Sequence, residues 1–195
     1  MELAAGSLDS QIEDSGPLDF SSALEITEKL AGALDHAHSQ SIVHRDVKPD
    51  NILVQSLERP WHTGGLPLRA VVTDFGLAKL LEGGMDTQSN IMMGTLPYMS
   101  PEQVTGDPLD GRSDLYALGV VLYQLATGQL PFDIKSPTDA VIKHLNEHPP
   151  DPHDIHPDFP IEVENIILKT LAKRPEDRYQ TGEALARALR AASKT

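Results

Sequence analysis

The chain has 195 residues, 39% hydrophobic and 23% charged, the profile of one globular domain long enough to bury a substantial core. Its 29 acidic and 16 basic side chains leave a net charge of −13, which repels phosphate backbones and anionic lipid and argues against nucleic acid or a membrane surface as partner. Without cysteine it forms no disulfide or thiolate metal site. The longest apolar run, 117–126, is too short to span a bilayer, and Met1-Glu2-Leu3 lacks a signal-peptide pattern.

In chain order, Gly6 and Gly16-Pro17 cut residues 1–16 into short loop and helix pieces. Ser22-Ala23-Leu24-Glu25 has the form of a capping box opening a helix. Leu24, Ile26, Ala31, Leu34 and Ala37 give that helix one buried face up to His38. Ile52-Leu53-Val54 reads as a short buried strand. Residues 58–68, with Pro60, Gly64, Gly65 and Pro67, form a loop anchored by Trp61, and Ala70 to Thr73 return as the second strand of a hairpin. Asp74-Phe75-Gly76 ends that strand. Residues 77–93 show no period and carry Gly83-Gly84, as a mobile loop does.

Leu115 to Ala126 is apolar nearly all round, which predicts a helix buried in mid-domain and stopped at Gly128 and Pro131. Ser136-Pro137 opens another helix, to Asn146. Residues 148–160 read as loop, and two more helices follow over 161–172 and 181–192. The expected fold class is α+β: mainly α with a small β-hairpin region.

The chemistry concentrates between His44 and Leu53. Asp46 can accept a proton from a hydroxyl, Lys48 can hold a phosphate oxygen, and Asn51 offers a carbonyl oxygen to a hard cation. That set suits phosphoryl transfer, in which positioning and charge neutralisation do most of the catalysis. His144 and His148 lie four apart and could share a helix face as metal ligands, but no third ligand is evident and a solvated face is the default. His36 and His38, two apart, cannot face one ligand on a helix.

His44-Arg45-Asp46-Val47-Lys48-Pro49-Asp50-Asn51 resembles the catalytic loop of the protein kinase family, and Asp74-Phe75-Gly76, 28 residues after Asp46, resembles its metal-binding motif. Ser100-Pro101-Glu102 corresponds to the family's Ala-Pro-Glu, and Arg178 to the late arginine that pairs with that glutamate. Lys48 with Thr95 is similar to serine/threonine rather than tyrosine kinases. A small-molecule kinase of the aminoglycoside type shares the Asp and Asn but lacks the Gly94-to-Glu102 segment, which seats a peptide.

The resemblance implies that Asp46 orients the substrate hydroxyl, with Lys48 and Thr95 beside it. It implies that Asn51 and Asp74 hold Mg²⁺ on ATP, with Glu2, Leu3, Leu53 and Lys48 lining the nucleotide site. Leu53 serves equally well as a plain core leucine. His44, Phe75, Gly76 and Asp114 are framework residues, Asp114 bonding the backbone around His44-Arg45. Arg45 and Lys79 would receive a phosphate on Thr87 or Ser89, making residues 77–93 a switch.

No glycine-rich loop, strand lysine or helix glutamate of the kind the family uses precedes His44, and Met1-Glu2-Leu3 resembles the hinge between kinase lobes. The expectation is therefore one partial kinase domain over 1–195, hinge plus C-terminal lobe, with the N-terminal lobe as missing partner. It would be cytoplasmic, without a membrane segment of its own, and act on protein substrates. The alternative is a non-catalytic kinase-lobe remnant acting as a protein-binding module.

Overall fold

The computed structural model describes residues 6–15, 19–56, 68–75 and 94–193. Glu2, Leu3, Trp61, Gly76, Lys79, Thr87 and Ser89, with the roles expected of them, lie outside the described residues. The architecture is mainly helical with one small antiparallel sheet, in agreement with the sequence.

The sheet has three strands in the order β1 (Gly6–Ser7), β2 (Ile52–Ser56), β3 (Leu68–Val72), one more than the expected hairpin. β3 starts at Leu68, two residues before the expected Ala70. Ile52 pairs with Val72 and Leu53 with Val71, while Ser7 lies on the other side of Leu53. A two-residue strand with Gly and Ser carries no alternating pattern, which is why β1 was not legible.

Helix α1 (Leu8–Ser15) follows β1 directly, and α2 (Phe20–Ser39) begins earlier than the Ser22 capping box suggested. Its cap is Asp19, in extended backbone, whose carboxylate accepts from the Ser22 N–H at 3.0 Å and also from the Ser22 hydroxyl. Ser22 is thus a buried first-turn residue. Helix α3 (Pro101–Thr105) carries a true capping box, with Ser100 and Gln103 satisfying each other's backbone N–H groups.

Helix α4 (Gly111–Thr127) is the centre of the molecule. Every residue from Ser113 to Tyr123 is buried, which explains its lack of a polar face, and Gly128 at φ 74° ends it in the left-handed region. Around it lie α5 (Pro137–Asn146, capped by Ser136), α6 (Pro152–Ile155), α7 (Ile161–Thr170) and α8 (Gly182–Ala192, capped by Thr181). Helix α6 falls within the stretch expected to be loop; at four residues it is too short to show a helical period. One apolar core, from Leu8 to Leu189, joins these helices to the sheet. No helix among the described residues is long and apolar enough to cross a membrane.

Candidate active site

The segment from His44 to Asn51 lies between α2 and β2 and ends in a short 3-10 turn, Pro49–Asn51. Its backbone includes Arg45 at φ 72°, a conformation unusual for a long side chain that the surroundings must hold. Asp114, from the first turn of α4, does so. Its carboxylate accepts from the His44 N–H at 2.8 Å and the Arg45 N–H at 2.7 Å, and His38 Nε2 lies 2.8 Å from the same group. On the other side the Gln103 amide donates to the Arg45 carbonyl at 2.6 Å. His44 is fully buried and donates through Nε2 to the Thr73 carbonyl at 2.7 Å, while its Nδ1 accepts from the Asp46 N–H at 3.2 Å. A carbonyl only accepts and a peptide N–H only donates, so the ring proton sits on Nε2.

With the backbone fixed, the functional side chains converge on Asp46. The Asn51 amide donates to the Asp46 carboxylate and to its carbonyl, both at 2.8 Å. Lys48 Nζ stands 3.3 Å from the same carboxylate and donates to Thr95 Oγ1 at 2.8 Å. The Thr95 hydroxyl donates to Asp46 at 3.2 Å, closing a ring of three residues that the sequence separates by up to 49 positions. Lys48 and Asn51 are buried, whereas a quarter of the Asp46 side chain is open to solvent. A partly open carboxylate with its neighbours locked is arranged to meet a ligand from one side.

Asp74 follows β3, exposed and at φ 64°, with Thr73 Oγ1 3.3 Å from its carboxylate. The Thr73 N–H donates to the Asn51 carbonyl at 2.8 Å, which ties the Asp74 turn to the His44–Asn51 segment. The Asn51 amide nitrogen is committed to Asp46, so its Oδ1 is the atom left to accept. Two hard oxygen donors, Asn51 Oδ1 and an Asp74 carboxylate, fit Mg²⁺, which takes few protein oxygens and keeps several waters. The Phe75 ring stands edge-on to His44 at 4.6 Å between centroids. Leu53 is half-buried in the central strand.

Glu102 and Arg178 form a two-pronged buried pair at 2.7 and 2.8 Å. Ser113 donates to the same carboxylate at 2.7 Å, and Arg178 also donates to the carbonyls of Ala172, Lys173 and Arg112. Burial alone would raise the Glu102 carboxyl, but the hydrogen bonds from Arg178 and Ser113 outweigh it and hold the group below the ordinary carboxylate range. The pair ties α3 to the loop after α7.

Among the described residues no cluster of three or more His, Asp or Glu side chains could hold a metal. The His144–His148 pairing is corrected, and the solvated-face default holds for His148, which is exposed, but not for His144. His148 lies beyond the end of α5, and His144 is fully buried rather than on a solvated face, because it partners Tyr116 and the Leu96 carbonyl inside the core. His38 and Gln103 were missed. His38 was weighed only against His36, two residues away, whereas its partner Asp114 is 76 residues on.

The protein kinase domain family profile matches residues 1–189. The chain belongs to the protein kinase family. This kinase chain is 43% identical over 184 residues to the serine/threonine-protein kinase PrkC of Bacillus subtilis, covering 94% of this chain and 27% of PrkC. It is 38% identical over 171 residues to serine/threonine-protein kinase PknB of Mycobacterium leprae, covering 87% of this chain and 26% of that protein. The kinase domain of Mycobacterium tuberculosis PknI superposes with a TM-score of 0.68 at 25% identity, over 97% of this chain and 63% of that one. These relatives place the kinase among the bacterial Hanks-type serine/threonine kinases. It spans about a quarter of PrkC and less than two thirds of the PknI domain.

Proposed function

We propose that residues 1–195 form the hinge and C-terminal lobe of a serine/threonine protein kinase domain that transfers the γ-phosphate of ATP to Ser or Thr hydroxyls of proteins. The observation that carries this reading is the Asp46–Lys48–Thr95 ring, braced by Asn51 and hung from Asp114. In it Asp46 accepts a hydrogen bond from the incoming hydroxyl and takes its proton as the oxygen attacks phosphorus. Lys48 screens that carboxylate and reaches a phosphate oxygen, while Thr95 fixes the rotamer of both. Asn51 and Asp74 would hold Mg²⁺, which would neutralise part of the charge on the ATP phosphates. A binding-only module would have no need for these side chains to converge, so the catalytic reading is favoured over it.

The test is transfer of labelled phosphate to a protein acceptor by the chain joined to a kinase N-terminal lobe carrying a glycine-rich loop. Asp46→Asn keeps the size and much of the hydrogen bonding but removes the base, and should lower the rate by about 10²–10⁴-fold with circular dichroism unchanged. A near-normal rate in that variant would overturn the assignment.

A further inference from the structure

His144 is an imidazole in the core that neither the catalytic ring nor the metal site uses. Its Nε2 lies 3.0 Å from the Leu96 carbonyl and its Nδ1 2.9 Å from the Tyr116 hydroxyl, with none of the residue exposed. The carbonyl has no proton to give, so Nε2–H is the donor to Leu96 and Nδ1 accepts from the Tyr116 O–H. Both nitrogens are occupied and the neutral tautomer is fixed. Burial pushes the pKa of His144 down to about 4, Lys173 adds to that, and the bond to the Leu96 carbonyl only partly opposes it. The rings of Phe132 and Tyr116 stand edge-on at 5.3 and 5.7 Å and hold the imidazole plane. Tyr116 in turn lies 4.8 Å under the Arg178 guanidinium, which is committed to Glu102.

Leu96 is the residue after Thr95 and opens the 3-10 turn Leu96–Tyr98 in the segment that seats a peptide in the kinase reading. Its inward carbonyl fastens that segment to α5 and, through Tyr116, to α4, beside the bond from the Tyr98 hydroxyl to Gln124 of α4. We propose that His144 is a positioning residue for protein-substrate binding, holding the Leu96 carbonyl so that the turn after Thr95 keeps one height above Asp46 and Lys48. This rests on the kinase reading and deepens it by assigning substrate affinity to a side chain that touches neither substrate nor ATP. Without the imidazole, the Leu96 carbonyl keeps only the long 3.4 Å bond from the Met99 N–H inside its own turn and loses the bond that ties it to the core.

Two amide variants of different length separate the roles of the two nitrogens. In His144→Gln the longer amide still reaches the Leu96 carbonyl; in His144→Asn the shorter amide stays near Tyr116 and loses Leu96. In the transfer assay above, His144→Asn should raise KM for the protein acceptor by roughly 5- to 100-fold, from the loss of one buried hydrogen-bond partner. KM for ATP should stay within about 2-fold, and His144→Gln should recover most of the loss. A plain core role predicts instead that both variants weaken folding alike and shift neither KM selectively, which would overturn the proposal. Amide hydrogen exchange on the chain itself gives a second readout, independent of activity. His144→Asn should speed exchange at Leu96, Tyr98 and Met99 while leaving mid-α2 amides unchanged, and unaltered protection there would also overturn it. If the wild-type protein transfers no phosphate, the kinase reading fails, and the exchange experiment alone decides whether His144 holds the turn.

Discussion

At the scale of single residues, two histidines away from the Asp46–Lys48–Thr95 ring link stability to pH in opposite senses. His144 is held neutral, with its pKa pushed down to about 4, against about 6.5 for an unfolded histidine. Between those values the unfolded chain takes up a proton that the folded chain refuses, so stability falls as pH drops from about 6.5 to 4 and changes no further below. The span corresponds to a loss on the order of 3 kcal/mol, with Lys173 and Arg178 as the cations facing that part of the core. His153 does the reverse. The buried Glu164 carboxylate, 2.7 Å from its Nδ1, raises its pKa, as Asp154 and Asp151 do more weakly. Its contribution is full below the ordinary histidine pKa and disappears as pH rises through the raised one. Denaturant melts over pH 4–9 should show that His144→Gln flattens the acid-side fall relative to wild type. His153→Ala should cost more stability at pH 5.5 than at pH 9. A wild-type fall between pH 6.5 and 4 that His144→Gln leaves unchanged would refute the first assignment.

Among the elements, those with a chemical stop or start were legible and those without were not. Ser136-Pro137, Thr181 and Gly128 mark real caps because each supplies a specific group: a hydroxyl for a free N–H, or a backbone that turns left-handed without strain. Ser22 misled because a Ser-x-x-Glu pattern matches a capping box even when Asp19, three residues earlier, holds the cap. The contact between α2 and α8 was invisible, since it depends on what Gly182 lacks. A Cβ there would lie 2.1 Å from the Ala31 carbonyl oxygen, and backbone cannot rotate aside as a side chain can. Gly182→Ala should therefore push α8 off α2 and cost about 1–3 kcal/mol. Gly32, one residue further along the same helix, is exposed, and a Cβ there meets nothing within 4 Å. Gly32→Ala should stabilise by roughly 0.5–1 kcal/mol through helix propensity alone. Thermal melts of the two variants moving in the same direction would contradict this account.

For the molecule as a whole, the sequence singled out side chains that the structure gathers around Asp46, but not what holds them. Asp46, Lys48 and Asn51 stand out because charge and amide chemistry clusters between apolar segments, whereas Asp74 and Thr95 are marked only by their resemblance to kinase motifs. Their supports, His38, Gln103 and the Tyr116–His144 pair, are ordinary helix residues whose partners lie 28 to 76 positions away, a separation no local pattern encodes. The common scaffold for those supports is α4. It carries Asp114 to the His44–Asn51 segment, Ser113 to Glu102, Tyr116 to His144 and Gln124 to Tyr98. Because every residue from Ser113 to Tyr123 is buried, no α4 amide in that run reaches solvent until the helices around it leave. Helix α5 differs: Val141 and Ile142 are 42% and 48% exposed, so it can open while the rest of the core stays packed. Native-state hydrogen exchange should thus find amides 116–123 opening with the full free energy of unfolding, and those of 141–146 opening at a fraction of it. The α4 values should also rise and fall with denaturant along the slope of global unfolding. Amides 116–123 exchanging as fast as those of α5 would mean that α4 is not the last element to yield, and that the His44–Asn51 segment hangs from something else.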